Sequence, residues 1–264
     1  MKFATLMFWI AGAVGLIAFV LLYVRGSDTR PLNPKEHIVS FADQAGYVDS
    51  GGVKIRYVMR GQGEPVILLH GFIFSAKSNW IDGGVFEALS QDYRVVALDL
   101  RGHGESGKPH DARSYGLEMI NDVLRLMDHL KIERAHLIGY SLGGILALKL
   151  IEVAPERLLS LVLGGAGWVR EGDHRWTALA EMLEKIKPGE SMSPHFWPKE
   201  SERPPREVQQ IVDNNDPVAL AALSRGMPDN DLALVLRGVQ LVLENHRQRI
   251  GKHRHRFFKR NAMV

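Results

Sequence analysis

The residues best placed to do chemistry are Gly139-Tyr140-Ser141-Leu142-Gly143, a serine bracketed two positions away on each side by glycine. Ala135 to Tyr140 is a short apolar run that reads as a strand, and Leu142 to Val153 reads as a helix stopped by Pro155. A serine at so sharp a strand-to-helix turn sits in a strained backbone position, and side chains two residues away would collide. The helix that follows offers unpaired N–H groups and the positive end of its dipole, which both favour developing negative charge. The chemistry predicted is attack by the Ser141 hydroxyl on a carbonyl carbon, with the Leu142 N–H holding the oxyanion.

A second donor is expected from His70-Gly71-Phe72, which follows the apolar strand Pro65-Val66-Ile67-Leu68-Leu69. Glycine there lets the loop bend back over the strand ends, so the Phe72 N–H converges with that of Leu142. One such donor is typically worth about 2.7–4 kcal/mol of barrier. His70 itself reads as a structural, hydrogen-bonding histidine. Arg101-Gly102-His103-Gly104 reads as a tight turn whose glycines take positive φ and whose polar groups tie down the loop.

The elements that must position these residues are legible from periodicity. Gly46 to Arg60 holds two alternating runs around Asp49-Ser50-Gly51-Gly52, a β-hairpin pattern. Tyr93 to Leu98 and Leu158 to Leu163 read as further buried strands, and Trp80 to Leu89 as a helix. Ile120, Val123, Leu124, Met127 and Leu130 fall at helical spacing. Strands alternating with helices predict an α/β protein with a mostly parallel sheet covered by helices.

Leu69-His70-Gly71-Phe72, Asp99-Leu100-Arg101-Gly102-His103-Gly104-Glu105-Ser106 and Gly139-Tyr140-Ser141-Leu142-Gly143-Gly144 together resemble the three signature stretches of the α/β-hydrolase superfamily. They come in the family's order, and the serine nucleophile points to its esterase, haloperoxidase and carbon–carbon hydrolase branch. Epoxide hydrolases and haloalkane dehalogenases of this fold would carry aspartate instead. The resemblance implies a hydrolase core over 46–168 and a helical cap over 169–230. Amphipathic stretches at Trp176–Ile186, Val208–Val212 and Pro217–Ser224 would form the cap's helices. It also implies an ester or related acyl substrate, no cofactor and no metal. Because the family's general base follows the serine in the chain, His103 is read as structural.

After the cap, the family pattern demands two more strands, the first followed by a catalytic Asp or Glu and the second by a catalytic His. Leu232, Val235, Leu236, Val239, Val242 and Leu243 repeat at helical spacing instead, and a strand over Val239–Leu243 is the alternative. Residues 231–264 therefore read as a divergent basic tail, through truncation, an altered reading frame or degeneration. The remaining candidates for acid and base are Glu244 with His246, His253 or His255, and His174 beside Asp173. Hence two expectations stand together: a serine hydrolase, or a binding protein of the same fold that has lost its proton shuttle.

At the other end, residues 3–24 are uncharged between Lys2 and Arg25, long enough to cross a bilayer core of about 30 Å. A cleaved signal peptide ending near Ala11-Gly12-Ala13 is the rival reading, but more apolar residues follow that point. The expectation is a single-pass anchor over 1–25 and a linker over 26–45. Arg25, Arg30 and Lys35 outweigh Lys2 plus the amine, which orients the globular part towards the cytoplasm. Absence of cysteine excludes disulfides and thiolate chemistry. The net charge of +3 comes from residues 245–264, which hold seven Lys or Arg and no acid. The remaining body is net acidic, so it offers no nucleic-acid surface.

Overall fold

The computed structural model describes residues 43–166, 174–187 and 189–227. Gly51 and Gly52, at φ of 65° and 84°, turn strand β1 (Gln44–Ser50) back onto β2 (Val53–Arg60). Two successive left-handed residues make the type of turn whose twist matches its flanking strands. Then follow β3 (Pro65–Leu69), α1 (Val85–Leu89), β4 (Arg94–Leu98), α2 (Leu117–His129), β5 (Ala135–Tyr140), α3 (Leu142–Val153) and β6 (Leu158–Gly164). The strands form one sheet in the order β1-β2-β4-β3-β5-β6. Both pairings of β2 are antiparallel; β3/β4, β3/β5 and β5/β6 are parallel.

The continuous apolar runs of β3 and β4 arise because both sheet faces are covered. Ile67, Leu69, Val96 and Leu98 pack with α2 and α3 on one face. Their neighbours Val66, Leu68, Val95 and Ala97 pack with Trp80 and α1 on the other. In α2, Met119, Ile120, Val123, Leu126 and Met127 form the buried stripe. These residues make the sheet a rigid platform whose strand ends carry the loops of interest.

Helices α4 (Arg175–Leu183), α5 (Ser193–Phe196), α6 (Arg206–Asp213) and α7 (Pro217–Arg225) lie in the stretch read as the cap and share a hydrophobic cluster with Ile73 of the loop after β3. Helix α7 belongs to two clusters. Leu220 and Ala221 pack inside the cap, while Ala222 and Leu223 join the main core.

Three expectations need correction or placing. Trp80–Leu89 is not one helix: a π-turn at Lys77–Ile81 is separated from α1 by Gly83-Gly84, with Gly84 at φ 76°. The linker read as 26–45 ends earlier, since β1 begins at Gln44. The anchor at 1–25, the tail at 231–264 and with it Glu244, His246, His253 and His255 lie outside the described residues. Among the described residues, no helix is long and apolar enough to cross a membrane.

Candidate active site

Ser141 stands at the junction of β5 and α3 with φ 50° and ψ −110°, a backbone region that L-residues seldom occupy. Holding one such residue costs on the order of 1–3 kcal/mol, so the surroundings must over-determine it. They do. The Ser141 N–H donates to the Gly164 carbonyl of β6 at 2.7 Å, and the Gly143 N–H donates to the His70 carbonyl at 3.1 Å. A Cβ at Gly139 would meet the Gly143 carbonyl oxygen at 2.4 Å, and one at Gly143 the Leu69 carbonyl oxygen at 2.2 Å. Only glycine fits at either place, as the spacing predicts. The strained geometry leaves the Ser141 hydroxyl free of its own helix, which it does not cap.

The loop after β3 lies against this elbow. A Cβ on Gly71 would stand 3.5 Å from the Cβ of Ser141. The Gly71 N–H is taken by Asn79 Oδ1 at 3.0 Å, so the π-turn at Lys77–Ile81 serves to hold the loop from behind. Phe74 N–H closes the loop onto the Gly71 carbonyl at 3.2 Å. Among the described residues, the N–H groups of Phe72 and Leu142 donate to no protein acceptor. Gly71 thus lies against Ser141, and the residues that follow each of them, Phe72 and Leu142, keep backbone donors without a protein acceptor among the described residues.

His70 is fully buried. The Leu100 N–H donates to its Nε2 at 2.9 Å, which requires Nδ1 to carry the hydrogen and donate to the Gly71 carbonyl at 2.8 Å. Burial lowers its pKa to about 4, so it is neutral with both nitrogens spoken for. His103 is also buried. Desolvation, then the neighbouring His70, lower it to about 3. Its Nδ1 lies 3.2 Å from the Arg101 carbonyl, and its Nε2 has no partner. Its ring meets the Phe72 ring edge-on at 5.8 Å, and Phe72 in turn meets Trp176 of α4 at 5.9 Å. Asp99 accepts from the N–H groups of Ala76 (2.8 Å) and Glu105 (2.9 Å). Arg101 forms a buried two-pronged pair with Asp122, at 3.0 and 2.6 Å. These are the tied-down turn that the sequence predicts.

Of the candidate bases, His174 is the one inside the described residues. It is exposed at the start of α4, and no hydrogen bond joins it to Ser141. Neither does one join His70 or His103 to Ser141. Among the described residues, no group of three or more His, Asp or Glu side chains is arranged to hold a metal. Sequence reading missed Asn79 and Asn215. The second donates to the carbonyl of Ile73, one residue past Phe72. Neither has a motif that would mark it, because its role depends on contacts made only after folding.

Residues 64–200 match the family model described as alpha/beta hydrolase fold. The dihydrolipoyllysine-residue acetyltransferase component of the acetoin cleaving system of Cupriavidus necator is 37% identical over 171 residues, 63% of this chain and 44% of that protein. The 2-hydroxy-6-oxo-6-(2'-aminophenyl)hexa-2,4-dienoic acid hydrolase of Metapseudomonas resinovorans is 34% identical over 148 residues, 53% of this chain and 50% of that one. The chain thus spans half or less of the length of these two relatives. The solved bottromycin epimerase BotH superposes with a TM-score of 0.58 at 32% identity, over 69% of this chain and 72% of that one.

Proposed function

Because the chain belongs to the alpha/beta hydrolase fold family, we propose that it is a serine hydrolase that cleaves an ester or related acyl substrate through an acyl-enzyme. One observation carries the reading: the Ser141 hydroxyl does not cap its own helix, Gly71 lies against Ser141, and the Phe72 and Leu142 N–H groups have no protein acceptor among the described residues. Ser141 Oγ adds to the substrate carbonyl carbon and gives its proton to a base. The carbonyl oxygen takes the negative charge between the Phe72 and Leu142 N–H groups. The bond to the leaving alcohol then breaks, the alcohol takes the proton, and water repeats the sequence on the acyl-Ser141 ester. A hydrolase among the relatives supports this class of chemistry.

The candidates for the base are His246, His253, His255 and His174, with Glu244 as the acid that would orient one of the first three. The hydrogen bonds of His70 already occupy both its nitrogens. The second reading is a binding protein of the same fold without turnover. It is favoured by the lack of any described histidine bonded to Ser141. A fluorophosphonate probe with p-nitrophenyl butyrate hydrolysis separates the two. The hydrolase reading expects labelling and turnover that Ser141→Ala removes. A chain that neither labels nor hydrolyses, or that does so equally as Ser141→Ala, is the binding protein.

The proposal includes a single-pass membrane anchor over residues 3–24, with the globular part on the cytoplasmic side. Its support is the uncharged run between Lys2 and Arg25. The full chain is expected to pellet with membranes and resist carbonate, and removal of residues 1–28 to release it. Full-length protein found wholly in the soluble fraction would overturn the anchor.

A further inference from the structure

The turn that presents the Phe72 N–H contains a residue that does not suit it. Gly71 to Phe74 is a β-turn closed by the Phe74 N–H on the Gly71 carbonyl, with Ile73 third. Ile73 has φ 65°, while Phe72 before it is not left-handed. A turn of that shape takes glycine or asparagine at its third position, and a β-branched residue there is an outlier. Something must hold it, and the cap does so twice. The Ile73 side chain, 5% exposed, is part of the cap cluster with Leu179, Leu183, Val212 and Leu220. Its carbonyl accepts from Asn215 Nδ2 at 2.9 Å. The same amide nitrogen donates to the carbonyls of Ile211 (2.8 Å) and Val212 (3.2 Å), so the end of α6 fixes its direction.

We propose that Asn215 is a positioning residue for the oxyanion site, an inference that rests on the role assigned above to the Phe72 N–H. By clamping the Ile73 carbonyl, Asn215 keeps the turn left-handed and the Phe72 amide aimed beside Ser141. Without the clamp, Ile73 relaxes to negative φ. That turns the Phe72–Ile73 peptide over, and the Phe72 N–H, on the preceding peptide, loses the fixed turn that holds it against the Ser141 elbow. The cap is therefore a working part of the oxyanion site as well as its cover.

The test is a double-mutant cycle in the full chain, read by turnover of p-nitrophenyl butyrate, by the fluorophosphonate labelling rate of Ser141, and by amide exchange over residues 70–75. Asn215→Ala is expected to lower kcat and the labelling rate about tenfold with little change in KM, and to speed exchange in that segment. Adding Ile73→Gly should restore most of the lost rate, since glycine adopts positive φ freely, even though a buried side chain is removed. A purely structural role for Asn215 predicts the reverse, with the double variant worse than Asn215→Ala. That result, or unchanged rates and exchange in Asn215→Ala, overturns the proposal. If the parent chain has no Ser141-dependent reaction, the hydrolase reading falls, and exchange alone decides the clamp. Faster exchange in Asn215→Ala that Ile73→Gly does not worsen sustains it, and unchanged exchange ends it. The same exchange comparison decides if the double variant does not fold.

Discussion

His70 and His103 meet edge-on with ring centroids 5.1 Å apart, and burial keeps both neutral in the folded chain. In the unfolded chain each takes up a proton below about pH 6.5. The unfolded state therefore binds more protons between that pH and the folded values, and stability falls on acidification across this range. Urea midpoints should drop from pH 7 to pH 5. His103→Phe should flatten that drop, because one of the two buried imidazoles is gone and a ring still packs against Phe72. At pH 7 the same change should stay within about 1 kcal/mol, the lost contact to the Arg101 carbonyl being offset by removal of an unpartnered nitrogen. An unaltered pH dependence would assign the acid limb to other groups. At this scale, the Ser141 turn and its flanking glycines were legible because glycine spacing and a strand-to-helix boundary are local properties. Ile73, Asn79 and Asn215 were not, since a positive φ at isoleucine contradicts local preference and is enforced by residues far along the chain.

Helix α7 is one of the elements that join cap to core. Asp216 caps its first turn, accepting from the N–H groups of Val218 (2.9 Å) and Ala219 (3.1 Å), with Pro217 at the first helical position. The Asp216 carboxylate also takes His110 Nε2 of the core at 2.9 Å. Burial alone would raise the Asp216 pKa, but His110 and the two amides outweigh it and hold the carboxyl below its usual range. A depressed carboxyl stabilises above its unfolded pKa, and the contribution is lost as pH falls through the folded value. Asp216→Ala should cost about 1 kcal/mol in urea unfolding at pH 7, and Asp216→Asn less, because asparagine still caps. Equal losses from both would show that the link to His110, and not the cap, carries the energy. The strands were legible at this scale from their apolar runs. The break inside Trp80–Leu89 was hidden because Trp80, Val85, Phe86 and Leu89 are all buried and so keep an apolar rhythm across Gly83-Gly84.

Across the whole molecule, β6 is one of two edge strands among the described residues, with Leu161 and Val162 half-buried and Leu163 37% exposed. An apolar edge with unpaired backbone groups pairs readily with another chain. A version ending at Met227 should therefore self-associate in light scattering, and Leu163→Lys should reduce this. A monodisperse monomer without the substitution would show that the edge is blunted already. The overall architecture was legible because alternating strand and helix patterns leave few topologies. The pairing order was not, because it is set by contacts between distant segments. That order bears on how the protein is made. The hairpin of β1 and β2 can close as soon as Arg60 is synthesised, but β3 lies between β4 and β5. At roughly 5–20 residues per second, the interval from Leu69 to Tyr140 lasts on the order of 4–14 s on the ribosome. Throughout it, the central strand of the nascent sheet keeps one apolar edge open, and a chaperone or a neighbouring nascent chain would meet the protein there.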